Sequence, residues 1–207
     1  CFKPEAGRVF IMFSSGLLEA FQHDELLFVM GHELGHHVYD HHEVPIGYLL
    51  HGQKKPSAQL ALQLFAWSRY AEISADRAGA FCAQNQAAVT RALFKLASGL
   101  TDDSVVRFDL DNFLSQVDDM TVADAEPGQG APTQDWFSTH PFSPLRVKAL
   151  VQFERSILMR EGGLAKEDLE LRVQEAMSLM EPSYVKGTSA VTKAMRDLLV
   201  AGAVAVA

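Results

Sequence analysis

The chain has 207 residues, room for one domain of ordinary size with a small appendage. With 48% apolar and 21% charged residues it can build a core, and a net charge of −8 without any basic run argues against nucleic acid or an anionic membrane surface as its main partner. Cys1 and Cys82 make neither a disulfide framework nor a zinc-knuckle spacing, and no apolar run reaches the roughly eighteen residues of a membrane span.

In chain order, Arg8 to Phe13 is β-branched and aromatic and follows a Pro4 to Gly7 turn signal, which predicts a strand. At a sheet edge it could pair with an extended peptide; as a plain core strand it would not. Ser14-Ser15-Gly16 turns the chain into a short amphipathic segment, Leu17 to Phe21. A helix follows, capped by His23 or Asp24, with Glu25 in its positive first turn and its end near Asp40.

Inside that helix lies Met30-Gly31-His32-Glu33-Leu34-Gly35-His36-His37. Residues four apart share a helix face, so His32 and His36 present two imidazoles to one point, with Glu33 on the adjoining edge. Zinc takes neutral imidazole at about 2.0–2.1 Å, and a catalytic site leaves a position for water, whose pKa falls to roughly 7. Glu33, beside the metal and not on it, is placed to take a proton from that water and deliver it to a leaving amine. The alternative is a chance match on a surface helix. Against it, Leu26, Leu27, Phe28, Val29, Met30, Leu34 and Val38 predict burial almost all round. Gly31 and Gly35, each costing about 0.5–1 kcal/mol relative to Ala in a helix, predict a closely packed partner. His37, His41 and His42 read as structural or solvent-facing: His42 has a third-ligand spacing, but Tyr39 stands where that pattern needs Gly.

Val44 to Lys55 reads as a connector. Ser57 then caps a long helix reaching about Cys82 and continuing, with a break, to Ala97. Glu72 and Asp76 lie one turn apart on it, among Ala71, Ala75, Ala78 and Gly79. They could be a surface pair for Arg69 or Arg77. Given two imidazoles short of a third ligand, Glu72 is expected on the metal, with Asp76 behind it orienting an imidazole, that of His32 above all. Thr101 to Asp135 is acidic, and its Ala123 to Thr133 stretch reads as an exposed loop, either a flap over the cleft or an inert excursion. Further on, Ser143 caps a helix with Pro144 in its first turn. His140, on the preceding loop, and Arg146, in the helix, are candidates to stabilise an oxyanion. Neutral His140 could instead occupy the open zinc position and shut the site. Ala165 to Ala207 has helical periodicity and no visible chemistry.

His32-Glu33-Leu-Gly-His36, Glu72-Ile-Ser-Ala-Asp76 and Ser138-Thr-His140-Pro…Arg146, in that order and preceded by Arg8 to Gly16, resemble the CAAX-prenyl-endopeptidase family of gluzincin zinc peptidases over roughly residues 2 to 155. The resemblance implies zinc on His32, His36 and Glu72, Glu33 as general base, and the histidine matching His140 as a removable fourth ligand. Membrane members carry spans between the two zinc motifs. Here Val44 to Tyr70 contains His51, Gln53, Lys54 and Lys55 and cannot span, so a soluble or peripheral branch is implied and prenyl-protein processing is not.

The expectation is therefore an α+β, mainly helical zincin-like metallopeptidase domain with a small sheet over residues 1–160, and a helical appendage or second module beginning at 161–207. It would hold one zinc per chain and hydrolyse peptide bonds in protein or peptide substrates. The alternative is a zinc-binding interaction or quality-control module that hydrolyses nothing. The missing initiator Met and a Leu198 to Ala207 segment that stops in mid-pattern suggest a fragment of a longer protein, from the bacterial cytoplasm or periplasm, with membrane association through further segments left open.

Overall fold

The computed structural model describes residues 9–51, 56–101 and 141–178 apart from 142, with positions 109, 111, 112 and 115. Its helices are α1 (Ser15–Ala20), α2 (His23–Val38), α3 (Ile46–His51), α4 (Ala58–Ala83), α5 (Gln86–Ser98), α6 (Ser143–Glu154) and α7 (Lys166–Ser178), with a 3-10 turn at His41–Glu43.

Local chemistry sets the helix ends. The hydroxyls of Ser14 and Ser57 accept the Leu17 and Leu60 amides, each at 3.2 Å, and so open α1 and α4. Asn85 does the same for Ala88 at 3.2 Å after Gln84 breaks the α4 to α5 run in a left-handed conformation (φ 48°). The α2 cap is Gln22, one residue earlier than expected, and its N–H donates to Glu25 at 2.9 Å. Asp24 instead accepts from Asn85 Nδ2 at 2.7 Å. Glu25 is fully buried and also receives Arg91 Nε and Lys95 Nζ, each at 3.1 Å, which ties the start of α2 to α5. The buried charge is tolerable because its oxygens are hydrogen-bonded and paired.

No sheet forms among the described residues, so the fold is helical and not α+β with a small sheet. Val9 to Phe13, the described part of the expected strand, forms no strand beyond a single bridge position at Phe10, and Phe10 and Met12 stand 44% and 78% exposed. β-propensity measures how well a side chain fits a pleated, half-buried surface, and among the described residues Phe13 packs against the helical core. Ser156 and Leu164 make an isolated bridge after α6. The core gathers Phe28 and Val29 of α2, Ile73 and Ala80 of α4, Val89 and Leu93 of α5, and Val147, Leu150 and Phe153 of α6. Leu169, Val173 and Met177 of α7 enter the same core. Burial of α2 is one-sided, not all round: Met30, Leu34 and Val38, spaced one turn apart, are 42%, 43% and 68% exposed. No described helix is long and apolar enough to cross a membrane.

The closest packing joins α2 to α4. A Cβ built on Gly31 would lie 2.9 Å from the Gly79 Cα, and one on Gly35 would lie 3.1 Å from the Ala75 Cα. As α2 advances, its contacts retreat along α4, so the pair runs antiparallel. A Cβ on Gly79 would meet the Phe28 carbonyl oxygen at 2.6 Å, backbone that cannot swing aside. Gly79→Ala is expected to cost about 1–3 kcal/mol by overpacking. Gly47, exposed within α3 with nothing within 4 Å of its Cβ position, is the contrast: Gly47→Ala should stabilise by about 0.5–1 kcal/mol. Urea denaturation of the two variants checks both signs.

Candidate metal centre

Close antiparallel packing sets His32 of α2 against Asp76 of α4, and His36 against Glu72. His32 Nδ1 lies 2.9 Å from Asp76 Oδ1. The two Nε2 atoms are 3.1 Å apart, and the Glu72 carboxylate is 3.3 Å from His36 Nε2 and 3.5 Å from His32 Nε2. Behind them, Arg146 grips Asp76 with two parallel hydrogen bonds, Nε to Oδ2 at 2.8 Å and Nη2 to Oδ1 at 2.6 Å. Its Nη2 also lies 3.5 Å from Glu72 Oε2.

Proton placement decides what this cluster can bind. Ser74 Oγ donates its only proton to the Ala71 carbonyl at 2.9 Å, so it must accept from His41 Nε2, 3.1 Å away. Burial lowers the His41 pKa, and a charge on His36 would lower it further, so this imidazole is neutral at ordinary pH. Its Nδ1 is then an acceptor, and the partner 3.0 Å away is the Nδ1–H of His36. His32 likewise donates Nδ1–H to Asp76, held ionised by Arg146. With both rings neutral, as a bound cation requires, these tautomers leave the two Nε2 lone pairs facing each other beside a carboxylate. Three acceptors so arranged can hold a cation. One donor atom from each of His32, His36 and Glu72 lies within 4.8 Å of the other two. Tetrahedral bonds of about 2.0–2.1 Å separate neighbouring ligand atoms by about 3.4 Å; the two Nε2 atoms stand 3.1 Å apart, and Glu72 approaches His36 through Oε1 at 3.3 Å and His32 through Oε2 at 3.5 Å.

Burial raises the Asp76 carboxyl, but the charge and hydrogen bonds of Arg146, with those of His32, outweigh it and hold the group at about 2, below its ordinary 3.8. Burial pulls Arg146 down, and the Asp76 charge more than reverses this. Arg146, 8% exposed, thus directs its guanidinium to the Asp76 carboxylate. Arg77, the surface partner considered for the carboxylates, pairs with Glu170 at 2.8 Å instead. Glu33 is partly buried on α2 beside His32. His140 lies outside the described residues.

His41 and Ser74 carried no signal in the sequence. His41 follows the end of α2, and it returns to His36 because Asp40 adopts a left-handed conformation, φ 54° and ψ 33°. No reversal was expected, since Tyr39 stands where a glycine turn would be; the chain turns one residue later, at Asp40, a residue type whose short polar side chain makes that conformation accessible. His42 is exposed, and its ring centroid is 6.0 Å from that of His36.

Comparison with known proteins gives two findings. The model of peptidase family M48 matches residues 4–52 and 49–154. The chain is 30% identical over 167 residues to the plastoglobule-localized metallopeptidase 48, chloroplastic, of Arabidopsis thaliana, covering 72% of this chain and 46% of that protein. The chain thus spans about half the length of the curated relative it matches. No solved structure matches it.

A carboxyl depressed on folding stabilises the fold fully above its ordinary value and loses that contribution as pH falls through its folded value. For Asp76 this window runs from 3.8 down to about 2. Arg146→Met strands the buried carboxylate and should cost about 3–5 kcal/mol near neutral pH. In acid the stranded carboxyl protonates while the wild type loses its ion pair, so the stability gap between the two proteins should narrow. Denaturant midpoints of both from neutral pH down to about 2, the folded value of Asp76, check the size and the sign.

Proposed function

The chain belongs to peptidase family M48, and from that premise we propose that it is a zinc-dependent endopeptidase hydrolysing peptide bonds in proteins. The observation that supports this most is the convergence of the His32 and His36 Nε2 atoms with the Glu72 carboxylate, each ring fixed through its other nitrogen by Asp76 or His41. Two imidazoles and one carboxylate are a donor set found in catalytic zinc sites, and these three residues would hold the ion. When bound, zinc would supply a Lewis acid that acidifies water and polarises a peptide carbonyl.

The remaining steps fall to side chains of this chain. Glu33 takes a proton from the attacking water and passes it to the nitrogen of the departing amine. Asp76 keeps the His32 proton on Nδ1, and Arg146 keeps Asp76 an acceptor by disfavouring its protonation. Protein or peptide is the substrate class. In this reading His140 is a removable fourth ligand, a role drawn from the sequence resemblance.

Casein cleavage with metal analysis of the same samples tests the proposal. Glu33→Gln should keep its metal and lose about 10²–10⁴-fold in cleavage rate, whereas Glu72→Ala should lose the metal itself. Retained cleavage in the first variant, or equal metal occupancy in the second, would contradict the assigned roles. His140→Ala should raise basal cleavage if His140 gates the site and lower it if His140 steadies the oxyanion. Metal-loaded wild type and His140→Ala that both leave casein intact would favour the non-hydrolytic zinc module.

A further inference from the structure

We infer that His41, held by Ser74, is a positioning residue for His36, fixing the tautomer and ring rotation with which His36 presents Nε2 to a metal. The inference rests on reading His32, His36 and Glu72 as the metal site, and it adds to that site a second supporting arm distinct from Asp76 and Arg146. The arm leaves α2 through a backbone conformation that non-glycine residues rarely adopt, φ 54° at Asp40. That turn carries His41 back against His36, Nδ1 to Nδ1 at 3.0 Å, with ring centroids 5.0 Å apart and planes at 76°. Its far nitrogen reaches Ser74 at 3.1 Å, on the turn of α4 between Glu72 and Asp76. Trp67 sets its ring edge-on to His41, centroids 5.8 Å apart, which limits rotation about the arm.

With the Ser74 proton spent on the Ala71 carbonyl, neutral rings leave one consistent direction for the chain: His36 Nδ1–H to His41, His41 Nε2–H to Ser74, Ser74 O–H to Ala71. A histidine ligand whose other ring N–H is held by an acceptor is fixed in orientation and made a better donor, and loss of such a partner typically costs 10–100-fold in metal affinity. A residue that merely braced the turn after α2 would have no such effect on the metal.

The test titrates Co²⁺ into metal-stripped wild type, His41→Leu, His41→Gln, Ser74→Ala and the His41→Leu/Ser74→Ala double variant, following affinity and visible ligand-field absorption. His41→Leu should weaken Co²⁺ binding by about 10–100-fold and alter the band. His41→Gln, whose amide oxygen can accept the same N–H, should recover most of the loss. Ser74→Ala should weaken binding severalfold and add little to His41→Leu, because both cut one arm. Wild-type affinity and band in His41→Leu and Ser74→Ala would overturn the inference and leave the metal site standing. Loss in His41→Leu without rescue by His41→Gln would assign the effect to packing and overturn it too. Should His41→Leu fail to fold, Ser74→Ala decides alone, a severalfold loss supporting the arm and unchanged binding refuting it. If wild type itself binds no Co²⁺, the site reading falls first and the arm with it.

Discussion

Backbone contact between α2 and α4 is the constraint from which the site follows. Glycine at 31, 35 and 79, set against Cys82 and Gly79, against Ala75 and Ala78, and against Phe28 respectively, lets the two helices approach until main-chain atoms nearly touch. At that separation, side chains one turn apart on each helix reach the same point from opposite sides. Any larger residue in the seam would part His32 and His36 from Glu72 before it disturbed the general fold. The glycines lower intrinsic helix stability, and the chain offsets this with the buried Glu25 junction to α5 and with the apolar core beneath.

Two supporting arms hold the two imidazoles, and they differ in kind. Behind His32 the arm is ionic: a buried guanidinium on a buried carboxylate, both satisfied by paired hydrogen bonds. Behind His36 it is neutral: a second imidazole and a hydroxyl ending on a helix carbonyl. The ionic arm brings α6 into the site, and the neutral one ties the turn after α2 to α4. Each ring is therefore fixed by an element other than its own helix, so neither depends on side-chain packing alone for its direction.

The parts of this centre that depend on helical spacing were legible in the sequence. His32 and His36 four apart, Glu72 and Asp76 four apart, and the small residues around them all follow from 3.6 residues per turn. The start at Ser57 was legible for a local reason too, since caps act over three or four residues, and the break expected after about Cys82 falls at Gln84. Long-range partners were legible only in part: the Asp76 contact to His32 and a close partner for Gly31 and Gly35 were expected and are found, whereas other such readings differ from the structure. A β-rich run at Val9 to Phe13 predicted a sheet that no described segment joins. The apolar surround of α2 predicted full burial, yet Met30, Leu34 and Val38 form an exposed stripe. Arg146 was named only as one candidate for the oxyanion, since spacing cannot say which way a long side chain turns, and its guanidinium pairs with Asp76. His41 was passed over because its place depends on one residue, Asp40, taking a left-handed turn for which the sequence has no glycine to give notice.

Antiparallel contact at such close range also governs register. Sliding α4 by a single residue along α2 would move the Glu72 carboxylate by about 1.5 Å, several times the roughly 0.5 Å within which a coordinating group must be held. The Phe28 carbonyl seated on Gly79 blocks small displacements, since any other residue of α4 would bring a Cβ to that spot. The seam thus works like a key in a keyway, and binding competence should appear abruptly during folding, when these two helices lock, and not by gradual tightening.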